Sequence, residues 1–129
     1  MQKTNQLTLT IKKEWLKKIV SGEKTKEYRN SKDYYHKIFK DFNNETFLVE
    51  NAPKTILLKN EYSLKTKEYE VKEINGCSFE SPIDKSTLYC IIEVEKIRHE
   101  TFINVIPPEM TRGQTAYTIY IKNVLEHNL

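Results

Sequence analysis

Lys24, Glu27 and Arg29 are the residues whose types and spacing can do chemistry in this chain. Arg29 offers a planar fork for a phosphate or a carbonyl edge, and Lys24 offers a compact charge that burial can tune. Glu27 can orient either one, or accept from the amino group of a base. On a strand, Glu27 and Arg29 share a face because side chains repeat every second residue. Lys24 falls on the other face unless the preceding turn still bends the chain there. Lys12, Tyr28, Tyr34, Tyr35 and Lys59 are candidate neighbours. Tyrosines beside such charges provide stacking surfaces, and single-stranded RNA is read by stacking plus hydrogen bonds to base edges. The plainer reading is a solvated strand edge of Lys/Glu pairs, with the tyrosines packing.

The elements that must position these groups follow from periodicity. Trp15, Leu16, Ile19 and Val20 repeat as one apolar stripe, which predicts an amphipathic helix before Gly22. Gly22 stops that helix, since glycine takes the left-handed conformation without steric cost. Residues 24–30 then alternate as a strand. A second helix is predicted over about 31–42, capped by Asn30 or Ser31, with Tyr35, Ile38, Phe39 and Phe42 on one face. Asn43-Asn44 and Pro53 mark a connection in which Phe47-Leu48-Val49 is a short apolar anchor. Thr55–Lys59 is a strand, Glu61–Lys67 a polar turn, and Tyr69, Val71 and Ile74 alternate as a half-buried strand before an Asn75-Gly76 turn. Leu88–Ile97 suits a central strand that emerges toward solvent. Arg98–Gln114 reads as a long loop or short helix, and such loops are often functional. Ala116–Ile121 is the last strand. Five or six strands with two early helices make an α+β domain with a mostly antiparallel sheet.

Gly22-x-Lys24-x-x-Glu27-x-Arg29 resembles the G-x-K-x-x-E-x-R signature of the ASCH domain, a member of the PUA-like superfamily. The resemblance is strongest over residues 7–29. It continues more weakly through Tyr34-Tyr35, the Thr55–Lys59 strand with Asn60-Glu61-Tyr62 after it, and the final strand. It implies a small, partly closed β-barrel flanked by the two helices, and a cleft lined by Lys24, Glu27 and Arg29 that binds RNA or a modified nucleotide. The segment before the last strand borders that cleft in the family, which places Arg112 and Gln114 as ligand contacts and Glu109 as an acid or base. A solvated connecting loop is the other reading of that segment. Some small ASCH proteins are amidohydrolases that deacetylate N4-acetylcytidine with a lysine at the position of Lys24, and others are linked to ribonuclease activity. A small hydrolase with Lys24 and Glu27 catalytic is therefore the second functional reading, so whether the chain is an enzyme stays open. In the amidohydrolases a threonine stands in place of Glu27, and their acidic partner has only Glu100 or Glu109 as counterparts here. A third reading keeps the signature as a relic in an interaction protein.

The whole chain bounds these readings. Its 129 residues predict one domain, and 38% hydrophobic with 30% charged content predicts a globular, soluble one. The polar start Met1–Gln6 and the lack of a long apolar run predict a cytoplasmic protein with no membrane partner, and a monomer is expected. A net charge of +3 tilts mildly toward nucleic acid. His36, His99 and His127 are scattered and Cys77 and Cys90 lie in different elements, so no metal site and no cofactor are expected, and the thiols are read as reduced and buried. Cys90 with His99 is unpersuasive as a nucleophilic pair, since buried thiols are inert. Three glycines cannot build the usual nucleotide fingerprints. Tyr69 and Tyr89 read as strand and core residues.

Overall fold

The structure, a computed structural model, describes residues 6–39, 43, 45–60 and 68–129. Met1–Asn5, Phe42, Asn44 and the polar stretch at 61–67, including Glu61 and Tyr62, lie outside the described residues. The fold is α+β and mainly strand: β1 (Gln6–Thr10), α1 (Lys13–Val20), β2 (Lys26–Asn30), α2 (Asp33–Ile38), β3 (Thr55–Lys59), β4 (Tyr69–Ile74), β5 (Cys77–Pro82), β6 (Tyr89–Thr101) and β7 (Thr115–His127). Hydrogen-bonded neighbours run β1-β3-β6-β7-β2, and β4-β5 forms a separate hairpin. β1 and β3 are parallel, whereas the β3–β6, β2–β7 and β4–β5 pairs are antiparallel. The chain groups into two compact units. The first comprises Met1–Thr25, Pro53–Val94 and Ile121–Leu129, and the second Lys26–Ala52 and Glu95–Tyr120. No helix among the described residues is long and apolar enough to cross a membrane.

In the first unit β3 is buried on both faces, as its unbroken Ile56-Leu57-Leu58 run demands. Leu57 packs with Phe79, Tyr89, Ile91 and Leu125. Burying side chains of this size contributes roughly 1.5–3 kcal/mol each. α1 buries Leu16 and Ile19 and stops at Gly22, whose φ of 83° is the left-handed turn its sequence position called for. Asn75 and Gly76 both take positive φ, 51° and 77°, which is the hairpin turn whose twist matches its strands.

That hairpin corrects the sequence reading twice. On its second strand, β5, Cys77 and Phe79 pack inward, but the next inward position, Ser81, is buried through hydrogen bonds instead. β4 is a strand, yet not half-buried by its apolar residues: Val71 is 51% exposed and Tyr69 and Ile74 are exposed as well. β5 is also held by Gln6, whose side chain imitates a neighbouring strand. Its Nε2 donates to Glu80 O at 2.8 Å, and its Oε1 accepts from Glu80 N at 2.9 Å and from the Thr55 hydroxyl at 3.0 Å. Cys90 is buried and Cys77 only partly so, and both are free thiols.

In the second unit β2 pairs with β7 in the register Glu27↔Ile119 and Arg29↔Tyr117. α2 is shorter than its expected span. It starts after Lys32, which makes no side-chain cap, because the two expected caps are engaged elsewhere. Asn30 Oδ1 accepts from Gln114 at 2.9 Å, and Ser31 Oγ is bound to His36 and His99. Phe39 is buried and stacks beside Tyr35, while Phe47 and Leu48 are exposed rather than anchoring the connection. Arg98–Thr101, expected as loop, continue β6. Phe102 N to Gln114 O, at 2.9 Å, then closes the true loop.

Candidate functional site

Strand alternation sorts β2 into two working faces. Glu27 and Arg29 project to one side, Lys26 and Tyr28 to the other. On the first face Arg29 Nη2 donates to Glu27 Oε2 at 2.8 Å and Nη1 donates to the Tyr35 hydroxyl at 3.1 Å. The second carboxylate oxygen of Glu27 accepts from the Tyr28 amide at 3.2 Å. The guanidinium also lies 5.9 Å from the Tyr35 ring. The Arg29 side chain is only 13% exposed, and its Nε has no hydrogen-bond partner among the described residues. An anchored, nearly dry guanidinium whose Nε–H is unmatched is suited to an acceptor on a ligand.

The other expected site residues are distributed as follows. Lys24 is buried in the first unit, with its ammonium 5.3 Å from the Trp15 ring. Lys12 is exposed just before α1, and Lys59 ends β3, where its carbonyl accepts from Ile11 N at 2.8 Å. Tyr34 is exposed and stands edge-on to Tyr35, with centroids 5.0 Å apart. Arg112 is exposed on the loop. The Gln114 amide already joins Asn30 to Thr111, so it fixes the loop to the end of β2.

A second group on the same side of β2 was not visible in the sequence, where its histidines read as scattered. Ser31 Oγ lies 2.9 Å from His99 Nε2 and 3.2 Å from His36 Nε2, and His36 Nδ1 lies 2.5 Å from the Tyr117 hydroxyl. Ser31 has one hydroxyl proton, so it donates to one imidazole and accepts from the other. The four groups form a continuous hydrogen-bonded chain from Tyr117 through His36 and Ser31 to His99. Burial, and then the neighbouring His36, hold His99 below the ordinary histidine value, and burial pushes the Tyr117 phenol up. The only sequence signal was strand parity, which puts Arg29, Ser31, Tyr117 and His99 at odd positions.

The opposite face opens on a cleft of ≈ 820 Å³ lined from β2 by Lys26 and Tyr28, and from β6 and β7 by Arg98, Glu100 and Tyr120. Glu100 accepts from the Tyr120 hydroxyl at 2.6 Å and from Thr118 at 2.8 Å. Burial, followed by the Glu100 hydrogen bond and charge, pushes Tyr120 up to about 12, so it stays a neutral donor. Tyr28 is likewise pushed up, by burial and then by the charges of Glu109, Glu100 and Glu27. Glu100, with only a weak claim from sequence, is thus a central cleft residue. Among the described residues no group of three or more His, Cys, Asp or Glu side chains is arranged to hold a metal ion. Compared with protein-family models, curated proteins and solved structures, the chain matches none.

Proposed function

We propose that this chain is an ASCH-type, PUA-like module, a small partly closed barrel acting as a cytoplasmic monomer, that binds RNA or a modified nucleotide. Arg29 contacts the ligand, while Glu27 and Tyr35 hold its guanidinium in place. The observation that carries this reading is the buried Arg29 Nε without a partner, beside two terminal nitrogens that are already engaged. Leaving such a donor unsatisfied costs roughly 1–3 kcal/mol, and a phosphate or carbonyl oxygen would relieve it. The signature at Gly22–Arg29 supports the family reading.

Fluorescence polarisation with a short labelled single-stranded RNA, at two salt concentrations, tests this. Wild type is expected to bind more weakly at higher salt, because counterions are released from the backbone. Arg29→Ala is expected to weaken binding at least tenfold. Arg29→Lys, which keeps the charge and loses the fork, is expected to weaken it as well. Circular dichroism establishes that each variant is folded. Wild-type affinity in a folded Arg29→Lys variant refutes the assignment, as does no binding at either salt. RNA recovered shortened on a gel returns the site to the hydrolase reading, with Lys24→Ala as the next variant.

A further inference from the structure

Two cations, Lys26 and Arg98, line the cleft against one carboxylate, Glu100. The carboxylate does not use up those cations. Its Oε1 accepts a hydrogen bond from the Tyr120 hydroxyl and its Oε2 one from the Thr118 hydroxyl, and Arg98 Nε lies 3.6 Å from Oε1, an ion pair too long for a hydrogen bond. Arg98 also makes a side-chain hydrogen bond with Tyr120, its side chain stays 37% exposed, and its Nε has no hydrogen-bond partner among the described residues. Positive charge also gathers at Tyr120, whose ring has Lys26 Nζ 4.9 Å from its centroid and Lys96 Nζ 4.8 Å from it. One end of the cleft thus gathers Lys26 and Arg98 beside Tyr120, with Lys96 against the same ring.

Elsewhere the wall mixes the polar residues His99, Thr101 and Asn104 with apolar ones that face water. Phe47 and Ile103 are exposed, and Val105 is 85% exposed. Tyr28 and Phe102 meet edge to face at 5.7 Å and continue the same wall. Exposed apolar side chains gathered along a concave surface mark a ligand groove more often than chance solvent exposure. The volume falls in the range of small-molecule sites, roughly 300–1,000 Å³.

We propose that this cleft is a second binding site, separate from Arg29, for a small amphipathic anion: a flat aromatic body carrying one carboxylate or similar acidic group. The acid engages Arg98 and Lys26 beside Tyr120, and the ring lies along Tyr28, Phe102 and Val105. Glu100 holds Arg98 through the 3.6 Å ion pair, while its oxygens accept from Tyr120 and Thr118.

Isothermal titration of the full chain with sodium 2-naphthoate tests the assignment, with the neutral 2-naphthalenemethanol as its uncharged counterpart. Saturable one-to-one binding of the naphthoate is expected, at least tenfold tighter than the alcohol. Arg98→Gln is expected to weaken the naphthoate at least tenfold. Val105→Asp changes a fully solvated position that the fold does not need, and it is expected to weaken the naphthoate to a similar degree by placing a negative charge on the wall. Absence of saturable binding overturns the proposal. So does equal affinity for acid and alcohol, or wild-type affinity in Val105→Asp. Loss of RNA binding in Arg29 variants bears on the other face of β2 and leaves these outcomes unaffected.

Discussion

Replacing Glu126 by Gln removes a charge that the first unit surrounds with donors. Lys72 Nζ lies 2.7 Å from Oε1, while the Tyr89 hydroxyl, at 2.8 Å, and Ser81 both donate to Oε2, with Lys85 at 3.8 Å. Burial pulls the carboxyl up, but these partners outweigh it and hold it at about 2 instead of 4.5. At about 1.4 kcal/mol per tenfold change, that lowering sets a ceiling of about 3.4 kcal/mol on its contribution. Both lysines reach the carboxylate from solvent-facing positions, and screening brings the expected figure down to about 1–2 kcal/mol. The native carboxyl holds its proton less tightly than the unfolded one. The stabilisation is therefore complete above pH 4.5, declines as pH falls, and is gone below about pH 2. Urea unfolding followed by the single tryptophan, Trp15, reads this directly. Wild type is expected to exceed Glu126→Gln by about 1–2 kcal/mol at pH 7, with the gap narrowing through pH 4 and pH 2.5. A gap that stays constant with pH would show that Glu126 acts by packing, and the electrostatic argument would fail.

Two further outcomes follow from other buried polar groups. Gln6→Ala strips the partner from Glu80 N and from Thr55, and is expected to cost about 1–3 kcal/mol in the same urea assay, with hydrogen exchange at Glu80 rising more than at β3. His99 sits below its unfolded value of 6.5, so wild type is expected to lose stability as pH falls from about 6.5, whereas His99→Gln should show a flatter profile over that interval. Equal slopes for the two proteins would place the titration elsewhere.

What the sequence made legible was whatever a single stretch decides by itself. β3 announces itself because three consecutive large apolar residues suit only a strand covered on both faces. Gly22 and Asn75-Gly76 announce their turns through the backbone angles they permit. Glu27 and Arg29 were legible as a pair because they sit two apart on one strand, and the structure joins them at 2.8 Å. β5 was hidden because Ser81 goes inward for hydrogen bonds, which no hydropathy pattern encodes. Ser31 and His99, 68 positions apart, meet only through the pairing of distant elements. The cleft was hidden for a related reason. Tyr120 and Thr118 look like ordinary alternating strand residues, and Glu100 like part of a loop or short helix, until β6 and β7 bring their even positions together.

β2 carries two messages on alternate letters of one short word. A single-residue insertion between Gly22 and Lys26 that slipped the β2–β7 register by one would move every later side chain of the strand to the opposite face. Glu27 and Arg29 would then face the cleft, and Lys26 and Tyr28 would turn toward Tyr35. A two-residue insertion would restore the parity. Substitutions can tune either face alone, but changes in length act on both at once, so this strand tolerates new spelling far better than a shift in frame.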